Sequence, residues 1–352
     1  MRNAHNSGTA MLKSVSNELA RRLPAGWVAS IDSLVGVNAV LALRAPGGQR
    51  AKVSTQIRRA VTPRDVPNIV ASVNNTPLFL VCPYLSPRAR ELLRGLGVSY
   101  ADSTGNLRLA LDHPAIFIET EGAEKDPTRQ PRALRSLKGA AAARVARALC
   151  DFVPPYRLRT LAQSANIPLG TMSRVVTLLD EEALLSRDKK KQIIAADWVG
   201  IVRRWARDYD VKTSNRVVSY LDPRGLGGLT EKLSRFEGRY AATGSLAGPG
   251  IAPTRLAMIY VDDAEQAAKK LGLVPAEAGA NVWLLEPYDD VVFERSGPAS
   301  PRLSVLKEAE LVCASPAQVA VDLMTSPGRG PQEAEELINK MKEFENDWRR
   351  KL

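Results

Sequence analysis

Side chains that ligate metals or act as nucleophiles are scarce in this sequence, which has three cysteines and two histidines among 352 residues. The cysteines, Cys82, Cys150 and Cys313, lie far apart without a CxxC pair, and the histidines are His5 and His113. A zinc site or a disulfide framework needs closely spaced ligands, and histidine-assisted catalysis needs a base beside its nucleophile. We therefore predict buried cysteines, no metal site and no cofactor.

Long apolar runs are also absent. No run approaches the roughly 20 residues that span a bilayer, and the first residues, MRNAHNSGTAMLKS, lack the apolar core of a secretory signal. The hydrophobic content of 45% and the charged content of 25% are typical of a soluble globular protein. We expect a cytoplasmic, nucleoid-associated protein that has no membrane partner.

Acidic residues are few in the N-terminal part, so the net charge of +11 is unevenly distributed. Residues 1–150 hold 21 Lys and Arg against 10 Asp and Glu, residues 151–200 hold 7 against 6, and residues 201–352 hold 21 against 22. A local excess of positive charge is typical of proteins that contact nucleic-acid phosphates, although an acidic protein partner would select it too. Double-stranded DNA is the partner we expect.

A length of 352 residues predicts two or three domains. In residues 1–121 the apolar spacing predicts the order αβββαβαβ of a mixed α/β domain, with a helix over 9–23 and another that begins at Thr62. The strands are predicted in GWVASIDS, NAVLALRA, AKVSTQIRR, PLFLVCPY and VSYADSTGNLRLAL. In the last segment, Asp102 and Asn106 are expected to hydrogen-bond amides of their own turn, and the alternative is a contact with DNA or a partner.

The order of elements in this domain resembles the PD-(D/E)xK nuclease fold, in which acidic side chains on adjoining strands hold a divalent metal and a lysine activates water. Glu18 and Asp32 occupy the positions of the first two acids, but the third strand has Gln56 and Arg58 where the motif needs Glu and Lys. Gln carries no charge for a hard cation, and Arg does not give up its proton at neutral pH. We predict a degenerate nuclease-like domain without catalytic residues, in which Arg58 and Arg59 bind DNA.

The rest of the chain is predicted as a linker at 122–135, a winged helix-turn-helix domain at 136–197, a connecting helix at 198–216 and an α/β domain at 217–352. In the second of these, RLRTLAQSA and TMSRVVTLLDEEAL have helical spacing, NIPLG is a tight turn between them, and LLSRDKKKQIIA alternates as a hairpin with a basic tip. The whole chain is thus predicted as a multidomain α/β and α+β protein.

The residues predicted to contact DNA lie on the second helix of the pair, which enters the major groove in such modules, and on the hairpin. Candidates for base or backbone contacts lie near the start of that helix: Thr171, Ser173, Arg174 and Thr177. Candidates for phosphate contacts lie on the hairpin: Arg187, Lys189, Lys190 and Lys191. The alternative for the lysines is an ordinary solvated hairpin tip.

In the C-terminal domain RYAATGSLAG is predicted as a glycine-rich turn, and NVWLLEP and DVVFER are predicted as strands. Gly244-Ser245 followed by Asp262-Asp263 resembles the Gly-Ser and paired carboxylates of nucleotidyltransferases, but the spacing is loose. The simpler prediction is that Gly244 permits a tight turn and that the two aspartates cap the helix beginning at Ala264.

The segments VTPRDVPNIV, CPYLSPRARELLRGLGVSYADSTGNLRL, YAATGSLAGPGIAP, ANVWLLEP and SPAQVAVDLMTSPGRGPQEAEEL extend over nearly the whole chain. Together with the winged-helix pattern they resemble the AbiEi-type antitoxins of abortive-infection (type IV) toxin-antitoxin systems and their transcription-regulator relatives. The resemblance implies a bacterial DNA-binding regulator with a degenerate nuclease-like domain ahead of the winged helix.

These patterns support three functions. The leading prediction is a DNA-binding transcriptional regulator that acts as a repressor and as a homodimer. The alternative is an antitoxin that neutralises a nucleotidyltransferase-type toxin through the C-terminal domain. The third is a metal-dependent DNA nuclease acting through Glu18, Asp32 and Gln56, which the missing Glu and Lys disfavour, so we predict that the protein is not an enzyme.

Overall fold

The computed structural model describes residues 11, 14–35, 38–71, 77–127, 136–250, 255–304 and 311–352. The chain divides into two compact units, of which one comprises residues 1–132 with 181–183 and the other residues 133–180 with 184–352. Within the described residues each unit has its own seven-stranded sheet, so the protein is a mixed α/β chain. The boundary falls inside the predicted linker, of which 128–135 lie outside the described residues.

The sheet of the first unit has its strands side by side in chain order. They are β1 (Val28–Val35), β2 (Asn38–Arg44), β3 (Arg50–Ile57), β4 (Leu78–Cys82), β5 (Ser99–Asp102), β6 (Leu107–Leu111) and β7 (Ile116–Thr120). The first three form an antiparallel meander, β3 to β5 run parallel, and β5 to β7 are antiparallel again. The predicted strands are confirmed, and β7 is an additional strand that the apolar spacing does not predict.

Helices pack against this sheet, and they are α1 (14–22), α2 (Val66–Ala71) and α3 (Pro87–Gly95). Of the helix predicted over 9–23, residues 9, 10, 12 and 13 lie outside the described residues. Alternate residues of β4 show that both faces of the sheet are covered. Phe79 belongs to one apolar cluster with Leu19 of α1, and Leu80 belongs to another with Leu93 of α3. The unit therefore has a layer of apolar packing on each side of β4.

The second unit begins with three helices and a hairpin. The elements are α4 (Ala140–Asp151), β8 (Phe152–Val153), α5 (Leu158–Ser164), α6 (Leu169–Glu181), β9 (Leu185–Arg187) and β10 (Ile193–Ala196). We call residues 140–196 the helix–hairpin segment. Its inward side chains, among them Leu161, Val175 and Ile193, are completely buried in one apolar cluster. Burial of this periodic set is what fixes α5, α6 and the hairpin against one another.

The remainder of this unit is built around a mixed sheet. Its helices are α7 (Trp198–Ala206), α8 (Val211–Ser214), α9 (Gly225–Ser234), α10 (Gly244–Ala247), α11 (Ala264–Leu271), α12 (Pro316–Met324) and α13 (Gly330–Glu343). Its strands are β11 (Arg216–Leu221), β12 (Tyr240–Thr243), β13 (Ala257–Val261), β14 (Val274–Pro275), β15 (Val282–Glu286), β16 (Gly297–Pro298), β17 (Val312–Cys313) and β18 (Arg350–Lys351). The order across the sheet is β14, β11, β15, β13, β12, β17 and β16, and β18 pairs with β8. None of the helices in the described part of the chain is both long and apolar enough to cross a membrane.

Three predictions of secondary structure in this part are wrong. The predicted turn RYAATGSLAG contains β12, whose four residues are buried between β13 and β17. The predicted strand DVVFER contains a 3-10 turn at Asp290–Phe293, because Asp289 accepts a hydrogen bond of 2.8 Å from the backbone N–H of Val291. The single connecting helix is divided into α7 and α8, because Asp210 starts a new helix by accepting hydrogen bonds from the N–H groups of Lys212 and Thr213.

One hydrophobic core runs through the second unit. Ala146 and Leu149 of α4 belong to the same buried cluster as Trp205 of α7, Val321 of α12 and Ile338 of α13. The regions predicted as separate winged-helix and C-terminal domains are therefore packed together and, apart from residues 181–183, belong to a single unit.

Candidate nucleic-acid interface

The turn between α5 and α6 has a defined backbone structure. Asn166 adopts a left-handed conformation with φ 50°, and the N–H of Ile167 donates a 2.9 Å hydrogen bond to the carbonyl of Ala162. This pattern is a Schellman motif, and Asn tolerates the left-handed conformation better than most residues. Pro168 follows and its carbonyl accepts the first bonds of α6, from the N–H groups of Thr171 and Met172. The sequence ANIP thereby sets the angle at which α6 leaves α5.

Helix α6 has one buried and one outward face. The buried face carries Met172, Val175, Val176 and Leu179. The opposite face, at helical spacing, carries Gly170, Ser173, Arg174 and Thr177. The Arg174 side chain folds back along the first turn, where Nε donates to the Gly170 carbonyl at 3.3 Å and Nη2 donates to Thr171 Oγ1 at 3.2 Å. Three of the four predicted base-contact residues thus share the outward face, and Thr171 lies on its flank.

The hairpin tip is a three-residue loop with a bulge. The N–H of Asp188 donates to the carbonyl of Gln192 at 3.0 Å, and the carboxylate of Asp188 accepts from the N–H groups of Lys190 and Gln192. Lys191 takes the left-handed position, with φ 62°. Lys189, Lys190 and Lys191 are all exposed. The backbone of the tip is therefore ordered by Asp188, while three ammonium groups extend into solvent.

Arg187 differs from the three lysines. Its Nη2 lies 3.4 Å from Oδ2 of Asp180, and only 18% of its side chain is exposed. Asp180 is near the C-terminal end of α6, so this ion pair connects the hairpin to that helix. Arg187 is consequently better placed to hold the hairpin in position than to meet a phosphate.

Sequence reasoning missed two cations beside this surface. Arg157 and Arg159 are exposed at the start of α5. A usable signal was present, because residues 152–179 contain no Asp or Glu. Residues 152–179, which include α5 and all but the last two residues of α6, therefore contribute arginines and no acidic side chain to this surface.

In the first unit the side chains at the predicted nuclease positions each bind a different partner. Glu18 pairs with Arg22 at 2.8 Å, and Asp32 pairs with Lys52 at 2.8 Å. Gln56 is buried, and its Oε1 accepts a hydrogen bond of 3.1 Å from Nη2 of Arg58. Among the described residues, no three His, Cys, Asp or Glu side chains come close enough together to hold a metal ion. Arg59, the other predicted DNA contact of this unit, is exposed at the end of β3.

The turn between β5 and β6 is held by Asp102 and Asn106, as predicted. Asp102 accepts hydrogen bonds from the N–H groups of Thr104 and Asn106 through Oδ1, and from that of Leu85 through Oδ2 at 2.9 Å. Asn106 Nδ2 donates to Asp102 Oδ2 at 2.8 Å, and Arg90 donates to Asn106 Oδ1 at 2.6 Å. These side chains therefore hold the turn together and connect it to Leu85, which lies just before α3.

The Gly-Ser and Asp-Asp pairs of the second unit have structural roles. Gly244 has φ +62°, and a Cβ atom there would lie 2.9 Å from the sulfur of Met258. Asp263 caps α11 by accepting from the N–H of Gln266 at 2.9 Å, as predicted. Asp262 does not cap the helix and instead pairs with Arg239. The resemblance to a nucleotidyltransferase motif thus has a structural explanation at three of its positions.

The three cysteines are free and buried, as predicted. Burial raises the pKa of the Cys82 thiol and of the Cys313 thiol to about 12, and it raises the pKa of Cys150 further. A thiol is a poor nucleophile, since the thiolate is the reactive form. These cysteines are packing residues.

Comparison of the chain with protein-family models, curated proteins and solved structures gave no match. The resemblance to AbiEi-type regulators therefore stays a prediction.

Proposed function

We propose that the protein is a DNA-binding transcriptional regulator whose residues 136–197 form a winged helix-turn-helix module. The observation that carries this proposal is the outward face of α6, where Ser173, Arg174 and Thr177 lie opposite the buried face. A recognition helix needs such a face, because side chains near its start reach base edges in the major groove. The hairpin tip is the wing of this module.

Two groups of residues have different tasks in this proposal. Arg157, Arg159 and the three lysines of the tip contact phosphates, which position the module without reading sequence. Arg174 reads a base. Its two hydrogen bonds, to the Gly170 carbonyl and the Thr171 hydroxyl, are weak and exposed, so the guanidinium can exchange them for a bidentate contact with guanine. No catalytic step is needed.

Repression follows from occupancy of a promoter, and we propose that two copies of the chain act together on a palindromic site. Helix-turn-helix modules commonly read half-sites about one helical turn of DNA apart, because the two-fold symmetry of a dimer matches that of the site. A genome-wide footprint of the protein identifies the half-sites and their spacing.

The central test is a salt titration of binding to a labelled duplex. Replacing Lys189, Lys190 and Lys191 together by alanine is expected to lower the slope of log affinity against log salt by about 2 to 3, since each phosphate contact contributes about 0.9. The matched control removes three other exposed lysines, at Lys269, Lys342 and Lys351. It changes the net charge equally and should leave the slope almost unchanged. Equal slopes for both triple variants would exclude the hairpin tip as a wing that contacts phosphates.

A further inference from the structure

The second unit contains a cavity of about 310 Å³ near the N-terminal end of α12. Its walls include Arg295, Ser315, Val319, Leu337 and Trp348. The volume is at the lower end of the range for small-molecule sites, and the mixture of apolar walls with a few polar groups is typical of them. The cavity is separate from α6 and the hairpin tip, whose residues do not line it.

Arg295 stands out among the lining residues. Its Nε donates to Asp151 Oδ2 at 2.6 Å and its Nη1 donates to Glu294 Oε2 at 3.3 Å. Its Nη2 is buried and has no hydrogen-bond partner among the described residues, while the guanidinium lies 5.3 Å from the centroid of the Phe152 ring. The backbone of Arg295 has φ 57°, a left-handed conformation that side chains rarely adopt. Unsatisfied polar groups and strained backbone both concentrate at functional sites.

Most charged residues in the walls are arginines. Among the described residues, Arg295, Arg349 and Arg350 line the cavity together with one acidic residue, Asp347. Asp151 and Glu294 pair with Arg295, and Glu345 pairs with Arg349. The N-terminal end of α12 also lies in the wall and adds partial positive charge. The apolar side chains of Val319, Leu337 and Trp348 can cover a hydrocarbon group. The chemistry is that of a small molecule with an apolar body and one carboxylate or phosphate group.

The same residues hold the end of α4. Asp151, the last residue of that helix, accepts hydrogen bonds from Arg295 and from the hydroxyl of Ser315 at 2.8 Å. Arg349 donates to the carbonyls of Cys150 and Phe152, both at 2.8 Å. Directly after it, β18 pairs with β8. The cavity walls therefore fix residues 150–153, which lead from α4 to α5.

We propose that this cavity is an effector site for a small apolar carboxylate or phosphate ester and that its occupancy changes the DNA affinity of the helix–hairpin segment. The ligand anion binds Arg295 and competes with Asp151 for the guanidinium, which alters the connection between α12 and the end of α4. The effect must be reciprocal, so DNA changes the affinity for the ligand by the same factor. The second half of the proposal rests on the proposed function, whereas ligand binding itself does not.

Binding is tested first, without DNA, through tryptophan fluorescence, because Trp348 lines the cavity. The probes are benzoate, hexanoate and phenyl phosphate, with benzamide, hexanamide and phenol as neutral counterparts and inorganic phosphate as an anion without an apolar body. We expect saturable binding of at least one of the three amphiphilic anions, at least tenfold tighter than the binding of its neutral counterpart. In the Trp348→Phe variant we expect no change in fluorescence when the anion is added. Carboxylates and the phosphate ester are thereby distinguished.

Two variants locate the site. Arg295→Gln removes the cation and should weaken binding at least tenfold. Ala247→Leu adds volume at the cavity wall and leaves the Arg295 cation in place, and it should weaken binding to the same extent. A loss of folding in one variant therefore does not decide the result. Arg224→Gln is the matched control, because this exposed arginine pairs with Glu231 outside the cavity. The absence of binding by all three anions, or equal binding in all variants, would overturn the site.

The regulatory half is tested by duplex affinity with and without the bound anion. We expect a change of at least fivefold in the native protein and none in Ala247→Leu. An unchanged affinity in a protein that binds both molecules overturns the coupling. A protein that binds the anion but no duplex contradicts the proposed function and the coupling, and it leaves the ligand site standing on the fluorescence result.

Discussion

The hydroxyl of Tyr260 donates a 2.9 Å hydrogen bond to Oδ2 of Asp322, and both side chains are completely buried. The same carboxylate accepts from the hydroxyls of Thr243 and Tyr209 at 2.6 and 2.8 Å, and from Nε2 of Gln318 at 2.9 Å. Asp322 therefore connects α12 to β12, β13 and the loop after α7. Four donors oppose the penalty of burying a carboxylate, but they do not remove it.

This relationship predicts a pH dependence of stability. Burial raises the pKa of Asp322 to about 6 from its usual value of 3.8. Between these values the folded protein holds a proton that the unfolded chain has lost, so the free energy of unfolding falls as pH rises from about 4 to about 6. At about 1.4 kcal/mol per pH unit, the loss amounts to roughly 3 kcal/mol.

The native protein is compared with the Asp322→Asn variant, whose amide side chain does not titrate. The difference in unfolding free energy between the native protein and this variant should fall over that pH window and level off above it, as measured by urea unfolding at each pH. A difference that is constant from pH 4 to pH 7 would mean that the carboxyl is not protonated in the folded state.

Arg174 should determine specificity more than affinity. Arg174→Ala is expected to reduce the discrimination between a selected site and a scrambled duplex by about 1 to 3 kcal/mol, the value of one bidentate base contact. The slope of log affinity against log salt should change by less than the contribution of one phosphate contact, which is about 0.9. Competition binding with both duplexes measures this, and Arg224→Ala serves as the control. A uniform loss on all sequences would assign Arg174 to the phosphates instead.

Two substitutions of Lys191 should distinguish the effect of its charge on DNA binding from the effect of its backbone conformation on stability. Lys191→Gly and Lys191→Ala remove the same charge and should weaken duplex binding equally. Glycine is not strained at φ 62°, so the glycine variant should be more stable than the alanine variant by about 1 kcal/mol. Urea unfolding measures this difference. Equal stability would contradict the bulged geometry of the tip.

We expect no nuclease activity from the first unit. Incubation of supercoiled DNA with the protein and Mg²⁺ or Mn²⁺ is expected to leave the DNA intact, because Gln56 and Arg58 replace the needed Glu and Lys. Cleavage that disappears in Asp32→Ala would reverse this conclusion. Gel electrophoresis over a time course decides between the two results.

Local features were the most predictable. The backbone N–H of Thr62 donates to the Asp65 carboxylate at 2.9 Å, as expected of the helix start there. Asp263 caps α11 for the same reason. The apolar run of β4, the turn at Asn166 and the hairpin with its lysine tip also lie where the spacing indicates them. Each of these signals acts over a few residues.

Contacts between distant parts of the chain were not predictable. The strand β12 resembles a turn in composition and becomes a strand because β13 and β17 pair on either side of it. Arg187 is similar to its lysine neighbours in sequence, and only the folded hairpin brings it to Asp180. Neither partner is marked by local periodicity.

The sequence by itself determined most helices and strands, the basic surface of α6 and the hairpin, and the presence of Gln56 and Arg58 on β3. The tertiary structure alone decided that the helix–hairpin segment shares a core with the C-terminal sheet, and that Asp151 meets Arg295 across 144 residues at the wall of a cavity. The physical reason is the separation along the chain over which each interaction acts. Capping and periodicity act between neighbours in sequence, whereas a shared core and a buried ion pair depend on which distant surfaces the whole chain brings together.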